Sequence, residues 1–104
     1  MIPAIRRAVQ NGHLEIVKLL LQNKRIDLKF AIKLAVEEKR WNVMEEIIQH
    51  PKFNPNSASY DGVPLLHIIC MNDQPELLKM IIYKGADITI HDKVILLHQL
   101  KVNS

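Results

Sequence analysis

The stretch Gly12-His13-Leu14-Glu15-Ile16-Val17-Lys18-Leu19-Leu20-Leu21 places apolar residues at i, i+1, i+4 and i+5 after a polar turn. That spacing marks one face of an α-helix. Ala8-Val9-Gln10-Asn11 stands before it. The pattern therefore reads as helix, tight turn, helix.

The same pattern returns twice without a gap. Ala35-Val36 leads into Lys39-Arg40-Trp41-Asn42-Val43-Met44-Glu45-Glu46-Ile47-Ile48. Ile69-Cys70 leads into Asp73-Gln74-Pro75-Glu76-Leu77-Leu78-Lys79-Met80-Ile81-Ile82. The spacing between copies is 27 residues and then 34. A partial fourth unit opens at Lys93 with Val94-Ile95-Leu96-Leu97-His98. Repetition at this period signals a stack of helix pairs, because one short pair cannot bury its own apolar stripe.

We place helices near 3–10, 14–22, 31–39, 41–49, 64–71, 75–83 and 93–101, with connectors at 23–30, 50–63 and 84–92. Pro3 and Pro64 fit first helical turns. Asp73 reads as an N-cap before Pro75-Glu76, and Gly85 as a helix-ending glycine. Asp61-Gly62 reads as a hairpin tip, with little regular sheet expected. The expected core is Ile5, Ala8, Val9, Ile16, Val17, Leu20, Leu21, Ile32, Ala35, Val36, Val43, Met44, Ile47, Ile48, Leu66, Ile69, Cys70, Leu77, Leu78, Ile81 and Ile82.

These residues resemble the ankyrin repeat, a unit of about 33 residues with a turn and two antiparallel helices. Gly12 through Leu21 is similar to the family's second-helix signature. Gly62-Val63-Pro64-Leu65-Leu66-His67 stands where the family has G-x-T-P-L-H, and Gly85-Ala86-Asp87-Ile88 where it has G-A-D-V. All three glycines fall on family glycine positions. Pro64 and Leu65 replace the family's threonine and proline, and Lys39 and Asp73 replace its turn glycine. The resemblance covers essentially the whole chain. It implies an all-α, ankyrin-type solenoid of stacked antiparallel helix pairs with short turns and fingers. One domain, 1–104, would hold units near 1–27, 28–57 and 58–91 and a partial unit at 92–104. The 27-residue spacing leaves too few residues for a full finger between the first two units.

Composition narrows the function. Nearly half the residues are apolar and the net charge is +3, with basic and acidic residues alternating as in Glu37-Glu38-Lys39-Arg40. No block resembles a nucleic-acid arm, so charge does not argue for a nucleic-acid partner. The longest apolar runs are about half a dozen residues, against the ~20 that span a membrane. The single Cys70 excludes an internal disulfide and fits a reducing compartment. We expect an intracellular protein of the cytoplasm, or of a host cytosol for a viral or bacterial effector.

No glycine-rich phosphate loop, nucleophile elbow or paired carboxylate is present. The histidines have no close Cys, Asp or Glu partner at zinc spacing. The expectation is a chain that is not an enzyme and uses no cofactor and no metal. His67 takes the family's structural histidine slot. Cys70 takes a small core slot and reads as a buried thiol.

What remains is binding. The resemblance implies a concave partner surface made of finger tips and the outward positions of first helices. Carried over by position, these are Arg7, Gln10, Asn11, Leu34, Glu38, Ile68, Met71 and Asn72. Leu34, Ile68 and Met71 would form an apolar strip with a polar border. Trp41 and Tyr60 join them as aromatic anchors. The expected function is a protein–protein interaction module. The alternative is an accessory targeting or substrate-recruiting domain cut from a larger enzyme or a host-directed effector. The last helix carries Val94, Ile95, Leu96, Leu97, Leu100 and Val102, a face suited to end-to-end association.

Overall fold

Each first helix ends the same way, whatever residue sits at the turn. His13 N–H donates to Ala8 O at 2.9 Å and Gly12 N–H to Val9 O at 3.1 Å. Arg40 and Lys39 repeat this on Ala35 and Val36, and Gln74 and Asp73 repeat it on Ile69 and Cys70. This is the Schellman arrangement, which satisfies the last helical carbonyls and needs a left-handed residue at the turn. Gly12, Lys39 and Asp73 supply it with φ of 69°, 52° and 55°. Asp73 is therefore a turn residue and not the N-cap expected of it. Gln74 takes that place, with Pro75 in the first helical turn.

The computed structural model describes residues 3–88, and the chain divides into two compact units, Met1–Phe53 and Asn54–Ser104. The expected helix at 93–101, and the association face on it, lie outside the described residues.

The first unit holds α1 (Ala4–Gln10), α2 (Leu14–Leu21), α3 (Leu28–Glu37) and α4 (Trp41–Ile48). α1 pairs with α2 and α3 with α4. α1 also lies against α3 and α2 against α4, so two helix pairs stack in register. α3 starts three residues earlier than expected. The Asp27 carboxylate accepts from the amides of Lys29 and Phe30 at 3.0 and 3.3 Å and caps the helix there. The link from α2 to α3 is correspondingly short, at 22–27.

Side chains also tie the two pairs together. The Arg40 guanidinium donates from Nη2 to Gln10 O at 2.7 Å. Lys52 Nζ donates to Lys24 O at 2.7 Å. His50 Nδ1 accepts from the Lys52 amide at 3.0 Å, so Nε2 carries the proton that faces Leu21 O at 2.8 Å.

The core of this unit is Val9, Val17, Leu34, Ala35, Val43, Met44, Ile47 and Ile48, all essentially out of water. Two expectations fail on α2. Ile16 is 48% exposed and Leu20 is half-buried. Val43 holds the position on α4 that Ile16 holds on α2, and Val43 is covered because α2 lies alongside α4. Val36 is likewise half-buried.

The second unit holds β1 (Ser59–Tyr60), β2 (Val63–Pro64), α5 (Leu65–Met71) and α6 (Pro75–Tyr83). Ser59 pairs with Pro64 and Tyr60 with Val63, antiparallel. Asp61 and Gly62 at the tip both have positive φ, 52° and 77°, the signature of the tight turn that matches strand twist. The hairpin packs on α5, and α5 on α6. Gly85, at φ 102°, ends α6 with Gly85 N–H on Ile82 O and Ala86 N–H on Ile81 O. The Asn56 side chain then binds this turn from both sides, donating to Gly85 O at 3.2 Å and accepting from the Asp87 amide at 2.6 Å. Leu65, Ile69, Cys70 and Ile81 are buried; Ile82 is only half-buried.

Candidate functional site

Four of the expected contact residues meet in the second unit. The hairpin sets Tyr60, Asp61 and Val63 above α5, which contributes Ile68 and Met71, with Asn72 as its C-cap. Together they border an open cavity of about 180 Å³. Met71 is 74% exposed and Val63 38%. Asn72 Nδ2 donates to Ile68 O at 2.7 Å, so the amide end of Asn72 is held against the helix. The result is a small apolar hollow with a flexible, polarisable thioether on its rim, the kind of surface that adapts to a partner. Val63 and Asp61 were not among the expected residues. The Asp61-Gly62 turn was the signal that would have found them, since it dictates what stands on either side.

The apolar strip drawn from sequence does not exist as a surface. Leu34 is 1% exposed and Ile68 7%. α3 packs on α1 along one flank and on α4 along the other, which widens its buried arc to include Leu34. Ile68 lies on the face of α5 that the hairpin covers, and forms the floor of the hollow. Arg7, at the same register on α1, stays in water.

In the first unit Arg7 and Gln10 on α1 are exposed, as is Asn11 at its C-cap. Glu38, the C-cap of α3, is exposed as well. Trp41 opens α4 and is half-buried. An open groove of about 530 Å³ runs between the C-terminal ends of α2 and α4, with Leu21 and Pro51 in its wall and Lys18, Lys24, Glu46 and Lys52 around it. Cys70 is buried, as its small core slot demands. Among the described residues no group of three His, Cys, Asp or Glu is placed to hold a metal ion, and no helix is long and apolar enough to cross a membrane.

Helix pairs closed by the same turn, with a tight hairpin ahead of α5, define a repeat protein of the helix–turn–helix type. A family model described as Ankyrin repeats (3 copies) matches residues 5–92, and the chain belongs to that family. It is 36% identical over 63 residues, 59% of the chain, to Tyrosine-protein kinase HTK16 of Hydra vulgaris, of which it covers 8%. It is 28% identical over 86 residues, 81% of the chain, to BTB/POZ domain and ankyrin repeat-containing protein NPR3 of Oryza sativa subsp. japonica, of which it covers 15%. The chain thus spans a small part of the curated relatives it matches. No solved structure gives a significant match. Ankyrin repeats are generally protein–protein interaction modules and are typically not catalytic.

Proposed function

We propose that the chain works by binding a protein partner and not by catalysis, the second unit through the hollow bordered by Tyr60, Val63, Met71 and Asn72 and the first unit through the exposed first-helix positions Arg7, Gln10, Asn11 and Glu38. The observation that carries this reading is Met71. A methionine 74% exposed beside an open apolar hollow leaves apolar surface in water that a partner would cover. Trp41, half-buried, is a weaker anchor. The cytoplasm is the compartment this reading implies.

The test is a double variant, Met71→Asp with Tyr60→Ser. Neither residue belongs to the buried core, so helical circular dichroism should hold while affinity capture of the wild-type partner is lost. Capture of the same protein by the variant would sink the proposal.

A second reading has one observation in its favour. The matched relatives are far longer than this chain, which covers 8% and 15% of them. The repeats would then recruit substrate for, or direct, a larger protein. Sequencing the complete transcript decides this: a catalytic domain in the same reading frame supports it, and an open reading frame of repeats alone counts against it.

A further inference from the structure

The charge of the chain is unevenly distributed. Residues 1–53 carry ten Lys and Arg against six Asp and Glu, while residues 54–104 carry four against five. Part of that excess sits on two adjacent helices. α1 has Arg6 and Arg7 and no acidic residue, and α3 has Lys29 and Lys33 with no acid in its first turn. α1 lies against α3, and Arg6 and Lys33 occupy the same register, 27 residues apart. Arg7, Lys29 and Lys33 are exposed.

Two features keep these cations available. Among the described residues none of the four appears in an ion pair. The nearest carboxylate in sequence, Asp27, is taken up by the amides of Lys29 and Phe30. Lys29 stands two turns from Glu37 and Glu38 at the end of α3, and Lys33 one turn from Glu37. The Arg6 guanidinium is also held, 5.5 Å from the centre of the Phe30 ring, so it is positioned before any partner arrives.

We propose that this cluster receives an extended acidic segment of the protein partner. This deepens the binding role proposed above and rests on it. The spacing suits such a segment. Packed helix axes stand about 8–10 Å apart. A segment in the extended polyproline II conformation rises about 3.1 Å per residue with three residues per turn, so carboxylates three residues apart share one face about 9 Å apart and one would meet each helix. Arg6 supplies a planar fork for one carboxylate, while the lysines act as point charges.

The probe is a short fluorescein-labelled peptide repeating Asp-Ser-Ser, titrated with the full chain at low salt and read by anisotropy. Binding should weaken roughly tenfold or more in the variant Arg7→Glu, Lys29→Glu, Lys33→Glu. It should be unchanged in Lys79→Glu, Lys84→Glu, which alters cations outside the cluster. Circular dichroism checks the fold, and the milder pair Lys29→Gln, Lys33→Gln serves if the triple variant unfolds. A peptide repeating Lys-Ser-Ser should bind the reversed variant and not the wild type. Unchanged affinity on charge reversal overturns the proposal. So does an oligothymidine of equal length binding more tightly than the acidic peptide, which would mark the cluster as a nucleic-acid contact. The two proposals fail separately. Partner capture lost in Met71→Asp, Tyr60→Ser but kept in the charge variants sinks this one and leaves the binding role standing.

Discussion

Replacing Lys39 with glycine should stabilise the protein, although it removes a side chain. Lys39 ends α3 at φ 52°, the left-handed region where an L-residue crowds its own carbonyl. That costs about 1–2 kcal/mol. Glycine avoids this cost but loosens the unfolded chain, which returns about 0.4–1 kcal/mol to the unfolded state. The balance is a gain of roughly 0.5–1 kcal/mol from Lys39→Gly.

Gly12 is the mirror case, at the same turn with φ 69°. A Cβ there would stand 3.2 Å from Arg40 Nη1. The guanidinium cannot swing aside freely, because its Nη2 is bonded to Gln10 O at 2.7 Å. Gly12→Ala should therefore lose roughly 1–2 kcal/mol: the left-handed cost plus part of that hydrogen bond, less the about 0.4–1 kcal/mol by which alanine stiffens the unfolded chain. Equilibrium urea unfolding, followed by circular dichroism and by Trp41 fluorescence, measures both variants. Coincident curves from the two probes license a two-state reading. The midpoint should rise for Lys39→Gly and fall for Gly12→Ala at unchanged slope. In melting experiments each kcal/mol should appear as about 4–8 °C for a domain of this size. A fall in both variants would refute the reasoning, since it would mean Lys39 makes a contact worth more than its backbone strain.

Three further outcomes are expected. Asp27→Ala should cost about 1 kcal/mol, because two amides at the start of α3 lose their acceptor, and thermal melts will show it. Ile47→Ala, at a fully buried site on α4, should cost about 2–5 kcal/mol and lower the urea midpoint sharply. Asn56→Ala removes two hydrogen bonds to the turn at 85–87 and should speed hydrogen exchange of the Asp87 amide, with a stability loss of about 1–3 kcal/mol.

The fold was legible because its signals were periodic. The i, i+1, i+4, i+5 pattern located the second helices to within a residue or two, and Asp61-Gly62 marked the hairpin. Capping chemistry was harder to read, because one residue type serves several ends. Asp73 carries the oxygen of an N-cap but sits in the left-handed turn, while Asp27, in a stretch that reads as connector, does the capping. The site was half legible. Tyr60, Met71 and Asn72 follow from their register, and the hollow they border does bring them together. Leu34 and Ile68 share Arg7's register, and register alone does not say that an aliphatic residue there is drawn under its neighbours while an arginine stays out. The cation cluster is invisible along the chain, because it forms only when α1 and α3 lie side by side.

The link at 22–27 has almost no slack. Gln22 N–H reaches Leu19 O, Asn23 N–H reaches Leu20 O, Arg25 N–H reaches Asn23 Oδ1 and Ile26 N–H reaches Asn23 O, so the end of one helix is latched to the start of the next. Neither helix can fray there alone. The bonded amides of Gln22, Asn23, Arg25 and Ile26 should show one common protection against deuterium, as from a single cooperative opening. A graded rise in rate toward the middle of the link would show that the latch slips.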